Sequence, residues 1–411
     1  MQTVWDRRYA QRVQRMQASA IRELLKVTEM PGTISLAGGM PAAEIFPIEK
    51  IAAVTQRILE KSGRQALQYG TTEGYTPLRE LLAHRLLQEG FDVSLDNILI
   101  TSGSQQGLDL LAKIMIDAGD LLLVESPTYM GALQACNAYE PEYLAVRSDE
   151  EGIVTDELEP ALQKNPKFIY ALPNFQNPSG VTFTLERRQK LVELASRYGV
   201  PIVEDDPYAQ LRFEGEPLPS LLALENERQQ RAGQKDQLYQ GNVIQLNTFS
   251  KVLAPGLRLG WIVAPAEVIR KLVLAKQGAD LHTATFNQMI AYEIAREGFI
   301  EEHIPLIRKT YRERRDVMLA ALEEYFPDNA HWTRPQGGMF LWVTLPEGID
   351  AAELLSDALE YRIAFVPGAV FHPCGGGANT MRLNFSNATP ERIEEGIRQL
   401  GKLLHARLMH T

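Results

Sequence analysis

Short apolar runs alternate with helical patterns through the middle of this chain, and that alternation limits the fold more than any other feature. Candidate strands cover residues 97–101, 121–125, 143–147, 168–172, 200–204, 243–247 and 258–263, with helical patterns such as 105–116 and 185–198 between many of them. Apolar strands joined by helices predict an α/β fold, in which a mostly parallel seven-stranded sheet is covered on both faces. In such sheets ligands bind beyond the carboxyl ends of the strands. The unusual polar residues fall at those ends: Ser102-Gly103-Ser104-Gln105, Ser126-Pro127-Thr128-Tyr129, the stretch from Pro173 to Gly180, Asp205-Asp206-Pro207-Tyr208, and Thr248-Phe249-Ser250-Lys251. Five strand ends on one face can share one site.

From about residue 300 the pattern changes. A charged helix over 308–325 precedes strand-like runs at 338–345, 364–366 and 380–385. This predicts a smaller α+β domain over 300–411, a large domain over 47–299, and an N-terminal segment, 1–46, that packs with the small domain. The polar stretch 225–240 reads as a solvated loop or helix end, and Gly375-Gly376-Gly377 as a flexible loop.

With 411 residues the chain is long enough for two or three domains. Its formal charge of −10 gives no general attraction to nucleic acid or anionic lipid, so neither is an expected partner. An anionic ligand must be held by a local group of donors. Cys136 and Cys374 make no disulfide framework, and Cys374 with His372 is too small a set for a metal, so none is expected. The N-terminal stretch lacks the apolar core of a signal peptide and no run of about 18 apolar residues occurs, so a cytoplasmic location is expected.

Ser102-Gly103-Ser104-Gln105 joins a strand to a helix start, where free N–H groups suit a phosphate; the plainer reading is an N-cap serine. Lys251 stands just past a buried strand, between the hydroxyls of Thr248 and Ser250 and the guanidinium of Arg258. Most lysines are solvated charges. A nucleophilic lysine needs surroundings that favour its neutral or imine form, and partial burial beside Arg258 would do that. Arg258 offers a planar charge to a phosphate, and the hydroxyls offer donors.

The pattern Ser-Lys-x-x-x-Pro-Gly-x-Arg-x-Gly at 250–260 resembles the cofactor-lysine signature of the fold-type I aminotransferases that use pyridoxal 5′-phosphate (PLP). Asn177-Pro178-Ser179-Gly180 and Asp205-Asp206-Pro207-Tyr208 resemble two more of that family's motifs. The intervals, 28 residues from Asn177 to Asp205 and 46 from Asp205 to Lys251, fit it as well. The likeness covers nearly the whole chain. It is closest to the aminoadipate/kynurenine branch, and there to the bacterial 2-aminoadipate aminotransferases of lysine biosynthesis, through segments at 18–25, 35–41, 68–74, 275–282 and 334–339.

The resemblance implies a role for each matching residue. Lys251 would form the Schiff base with PLP and move the proton, and Asp205 would pair with the pyridine nitrogen. Tyr208 and Asn177 would bond the phenolate oxygen, and Tyr129 would stack on the ring. Ser104, Gln105, Thr248, Ser250 and Arg258 would hold the phosphate; Thr248 stands where serine is commoner, with the same chemistry. Tyr69 would reach the phosphate of a neighbouring subunit, which implies a homodimer. Arg382 would clamp the substrate α-carboxylate, with Asn177 beside it and Gly39 lining the pocket, and Arg22 would meet an acidic side chain. The implied reaction is ping-pong transamination, with 2-aminoadipate the favoured donor, glutamate, leucine and aromatic amino acids further ones, and 2-oxoglutarate the acceptor. A C–S lyase on the same fold would share Lys251, Asp205 and Arg382. An aminotransferase-like transcription regulator would need an added DNA-binding module, for which the match from about Ala18 leaves no room.

Overall fold

A computed structural model of the protein describes residues 3–16, 32–231, 233 and 239–409. Fourteen strands occur among these residues: β1 (Ile34–Ser35), β2 (Ile98–Thr101), β3 (Leu121–Ser126), β4 (Glu142–Asp149), β5 (Gly152–Ile153), β6 (Ile169–Ala171), β7 (Ile202–Asp205), β8 (Val243–Thr248), β9 (Gly260–Val263), β10 (His331–Trp332), β11 (Phe340–Thr344), β12 (Ile363–Ala364), β13 (Val366–Pro367) and β14 (Thr380–Asn384). The large sheet has the order β2-β9-β8-β7-β6-β3-β4-β5. Strands β8, β7, β6, β3 and β4 are parallel, while β9 runs against both β2 and β8. The sheet thus has eight strands, not the expected seven. The extra one, β5, is a two-residue strand that folds back on β4, too short to show a period in sequence.

The strands carry apolar side chains on both faces, as a doubly covered sheet requires. Ile98, Ile100, Leu123, Ile169, Ile202, Val243 and Val263 enter one core. Their neighbours Leu99, Leu122, Val124, Tyr170, Val203, Ile244 and Ile262 enter the other. Full burial of each such side chain is worth about 1.5–3 kcal/mol. Helix Leu185–Tyr198 matches its sequence pattern, with Thr184 accepting from the Arg187 amide at 3.3 Å and Gly199 closing it at φ +66°. Its Arg188 is fully buried and donates to the Phe183, Pro173 and Pro219 carbonyls and the Asn174 side chain. One guanidinium therefore fastens the loop that leaves β6.

The C-terminal part is a smaller antiparallel sheet of order β10-β11-β14-β13. Leu341, Val343, Met381 and Leu383 of this sheet pack against Tyr311, Met318, Leu354 and Ile397 of its helices. The first of these helices spans Phe299–Tyr325, earlier than its sequence pattern began, and includes Pro305. The expected strand at 364–366 is split: Ile363–Ala364 pairs with β1 and Val366–Pro367 with β14. The N-terminal segment thereby adds a strand beside the small sheet.

Of the stretch 225–240, residues 232 and 234–238 lie outside the described residues; the rest is a largely exposed helix end, as expected, with two buried anchors. Helix Leu221–Arg231 includes it in part, Glu225 is 1% exposed and accepts from Arg228, and Tyr239 is buried with its hydroxyl bonded to the Val243 backbone. The polar composition fits the exposed face of this helix end, and the buried Glu225 and Tyr239 mark the face turned to the core.

Candidate active site

Because β9 is antiparallel to its neighbours, the carboxyl ends of β2, β3, β6, β7 and β8 and the entry to β9 lie at one edge. There they surround a cavity of about 240 Å³. Its walls include Gly39, Ser104, Gln105, Tyr129, Asn177, Asp205, Tyr208, Thr248, Ser250, Lys251, Arg258 and Arg382. All but two of the site residues expected from sequence meet here. Tyr69 is elsewhere, 79% exposed and edge-on to His282. Arg22 lies outside the described residues.

One end of the cavity is a cradle of donors. Helix Ser104–Met115 begins at Gly103, whose φ of +83° favours glycine, and the Arg258 guanidinium comes within 2.7 Å of where a Cβ would stand. The Ser104 and Thr248 hydroxyls donate to the Asn247 and Leu259 carbonyls, at 3.1 and 2.9 Å, and Gln105 donates to the Gly131 carbonyl at 2.7 Å. Arg258 takes the left-handed conformation, φ +51°, which costs about 1–2 kcal/mol. Helix amides, hydroxyls and a guanidinium at one point form an anion site.

The other end holds buried titratable groups. Lys251 donates to the Gly39 carbonyl at 3.2 Å. Burial, then the charges of Arg258 and Arg382, bring its ammonium down to about 8 against the opposing pull of Asp205. Asp205 is 3% exposed and accepts from the Tyr170 hydroxyl at 2.8 Å, while its Oδ1 has no partner. Burial pushes its carboxyl up to about 7. Tyr208 is raised by burial, with Phe340 edge-on to its ring. Arg382, on β14, is 1% exposed and donates to the Asn177 side chain at 2.7 Å and the Ala37 carbonyl at 2.6 Å. Its charge rests over the Phe340 ring at 4.3 Å, burial brings it down to about 10, and its Nε is unpartnered.

Several residues that build this site escaped the sequence reading. Gln176 donates to Glu125 and to the Pro127 carbonyl, both at 2.7 Å, and accepts from Ser179, so it ties the loop of Asn177 to the loop of Tyr129. Glu125 is 1% exposed, and burial raises it to about 8. Tyr170 had a signal: a hydroxyl in a strand covered on both faces needs a partner. Phe340 had none, since an aromatic in a strand reads as core.

Known proteins fit this geometry. The profile of the family "Aminotransferase class I and II" matches residues 34–400. The chain belongs to the class I and II aminotransferases. The aminotransferase is 48% identical over 408 residues to aromatic-amino-acid aminotransferase 1 of Thermococcus litoralis, covering 97% of this chain and 94% of that one. It is 46% identical over 401 residues to 2-aminoadipate transaminase of Thermus thermophilus, covering 97% of each. Its fold superposes with a TM-score of 0.91, at 44% identity and over 100% of both chains, on the crystal structure of α-aminoadipate aminotransferase from Thermus thermophilus complexed with N-(5′-phosphopyridoxyl)-L-leucine.

The aminotransferase uses PLP, and its cavity suits that group on independent grounds. The unpartnered Asp205 Oδ1 is a buried acceptor for a ring N–H, the cradle at Gly103 and Arg258 is an anion site, and the Lys251 amine is brought toward neutrality between them.

Proposed function

We propose that the aminotransferase takes the amino group of 2-aminoadipate, with leucine, glutamate and aromatic amino acids as further donors, and passes it to 2-oxoglutarate in a ping-pong cycle. The observation that carries the catalytic part is the convergence on one cavity of the buried Asp205 and Arg382 and the half-buried Lys251. The choice of donor is supported by 46% identity to the 2-aminoadipate transaminase and 48% to the aromatic enzyme.

Bound PLP supplies an aldehyde for the incoming amine and a ring that draws electrons from Cα. The phosphate is assigned to Ser104, Gln105, Thr248, Ser250 and Arg258, and the ring to Asp205, Asn177, Tyr208 and Tyr129. Arg382 receives the α-carboxylate; its unpartnered Nε and its aromatic bed favour a planar anion. That anchorage orients the Cα–H bond. The Lys251 amine, neutral above about pH 8, takes the Cα proton and returns one on the other side of the transfer. The Asp205 carboxylate stabilises positive charge on the ring nitrogen. Gly39 leaves room for the side chain, and Arg22 reads a distal carboxylate. We place the domain limits at 46 and 299 and the enzyme in the cytoplasm.

A donor panel against 2-oxoglutarate, with wild type and Arg22→Ala, tests this reading. kcat/KM for 2-aminoadipate should exceed that for leucine, and Arg22→Ala should lower the former by about 30-fold or more, because truncating one partner of a buried ion pair costs about 2–5 kcal/mol. Equal losses for both donors would assign the distal carboxylate to another residue. Pyruvate and ammonia released without an acceptor would replace transamination by a lyase reaction.

A further inference from the structure

A second cavity of about 770 Å³ lies against the catalytic one, and Pro207 and Thr248 line both. The size is that of a small-molecule site. Its apolar wall includes Leu82, Phe91, Phe249, Val252 and Trp261, with the rings of Phe249 and Trp261 4.9 Å apart.

The charged groups facing it are Arg85, Glu89, Asp206, Arg212 and Arg308. Arg85 is paired with Glu301 at 2.7 Å. Asp206 is held by the Asn174 side chain at 2.9 Å and the Ala209 amide at 3.2 Å. Arg308 Nε donates to the Gln210 carbonyl at 2.7 Å. Arg212 stands apart. It is 8% exposed, its Nη1 donates to Gln336 and to the Glu214 carbonyl, and its Nη2 has no partner among the described residues. A buried guanidinium nitrogen without an acceptor is costly, and the cost is removed when an anion arrives.

We propose that this cavity binds a small carboxylate with an apolar or aromatic body, its anionic head on Arg212 and Arg308 and its body against Phe249 and Trp261, and that the occupant modulates turnover next door. Arg212 and Arg308 both line the cavity, and the guanidinium of Arg212 is lowered by burial and then by the charge of Arg308, so a carboxylate in the cavity meets two cations and offsets the repulsion on Arg212. The link to catalysis runs through the shared wall: Asp206 follows Asp205 in the chain and its charge helps raise the Asp205 carboxyl, and Thr248 belongs to the phosphate cradle. Nothing in the catalytic assignment uses Arg212, Trp261 or Ala223.

The test titrates 3-phenylpropionate into the PLP-loaded enzyme and follows tryptophan fluorescence and initial rates. A saturable fluorescence change, lost in Trp261→Phe, is expected, together with an altered kcat at saturating donor. Arg212→Gln should raise Kd at least tenfold and return kcat to the ligand-free value. Should Arg212→Gln fail to fold, Ala223→Phe, which narrows the cavity and keeps Arg212, should weaken binding in the same way. Binding that is unchanged in these variants, or inhibition that is strictly competitive with the amino-acid donor, would place the compound on Arg382 alone and overturn the proposal. Failure of the donor panel to favour 2-aminoadipate leaves this test unaffected, since no donor preference enters it.

Discussion

Lys251 shows what burial does to a single side chain. Its ammonium loses hydration and faces Arg258 and Arg382, and the Asp205 carboxylate only partly compensates. The resulting fall from 10.5 to about 8 costs the folded protein on the order of 3 kcal/mol below pH 8. The sign follows from linkage: a lysine whose folded value is lowered destabilises at low pH, and the cost fades as pH rises from about 8 to about 10.5. That cost sustains a neutral amine at accessible pH. In cofactor-free enzyme, the rate at which PLP combines with Lys251 should rise about tenfold per pH unit and level off near pH 8, read from the growth of the cofactor absorbance. A plateau delayed to about pH 10 would mean that Lys251 is hydrated. Borohydride reduction of the loaded enzyme and peptide mapping should find the phosphopyridoxyl group on this residue.

At the scale of elements, the cradle depends on how closely β9 approaches the start of helix Ser104–Met115. A Cβ on Gly260 would lie 2.7 Å from the Asn247 carbonyl oxygen, 2.8 Å from the Ser104 amide nitrogen and 2.9 Å from the Gly103 carbonyl carbon. All three are backbone atoms, which cannot swing aside as a flexible side chain can. The final glycine of the Ser-Lys…Arg-x-Gly motif is thus a spacing requirement between strand and helix. Gly260→Ala should destabilise by about 1–3 kcal/mol through overpacking and loosen PLP as well, because the helix amides move away from Arg258. Thermal unfolding and cofactor dissociation, measured on the same variant, check both parts. Lost stability with unaltered PLP affinity would separate the spacing from the cradle.

Over the whole molecule, the catalytic cavity draws on the sheet edge, on β14 of the small domain through Arg382, and on the N-terminal segment through Gly39 and the Ala37 carbonyl. Tyr69 is the outlier, far exposed at 79% although it belongs to the motif set. A tyrosine so placed has a function if a second copy of the chain brings its own cradle to it. Mixing a Lys251→Ala protein with a Tyr69→Phe protein under subunit exchange should form hybrid dimers with one site free of both changes. Activity should then rise well above that of either parent. No recovery, or full activity in a monomer measured by sedimentation, would confine each site to one chain.

The local chemistry of the site was legible in the sequence because it is written in short motifs: Ser104, Asn177, Asp205 and Lys251 each stand at or a few residues past the end of an apolar strand, Arg258 stands just ahead of the next one, and strand ends face one way in a mostly parallel sheet. The doubly covered sheet was legible for the same reason, since continuous apolar runs leave no face for water. Tertiary structure alone decided what depends on contacts between distant segments. The Tyr170 bond to Asp205 crosses between two strands, the Gln176 bond to the Pro127 carbonyl joins two loops, and the unpartnered nitrogen of Arg212 exists only because distant segments close a cavity around it. Burial and hydrogen-bond satisfaction depend on what the rest of the chain packs against a residue, and no local pattern of residue types carries that information.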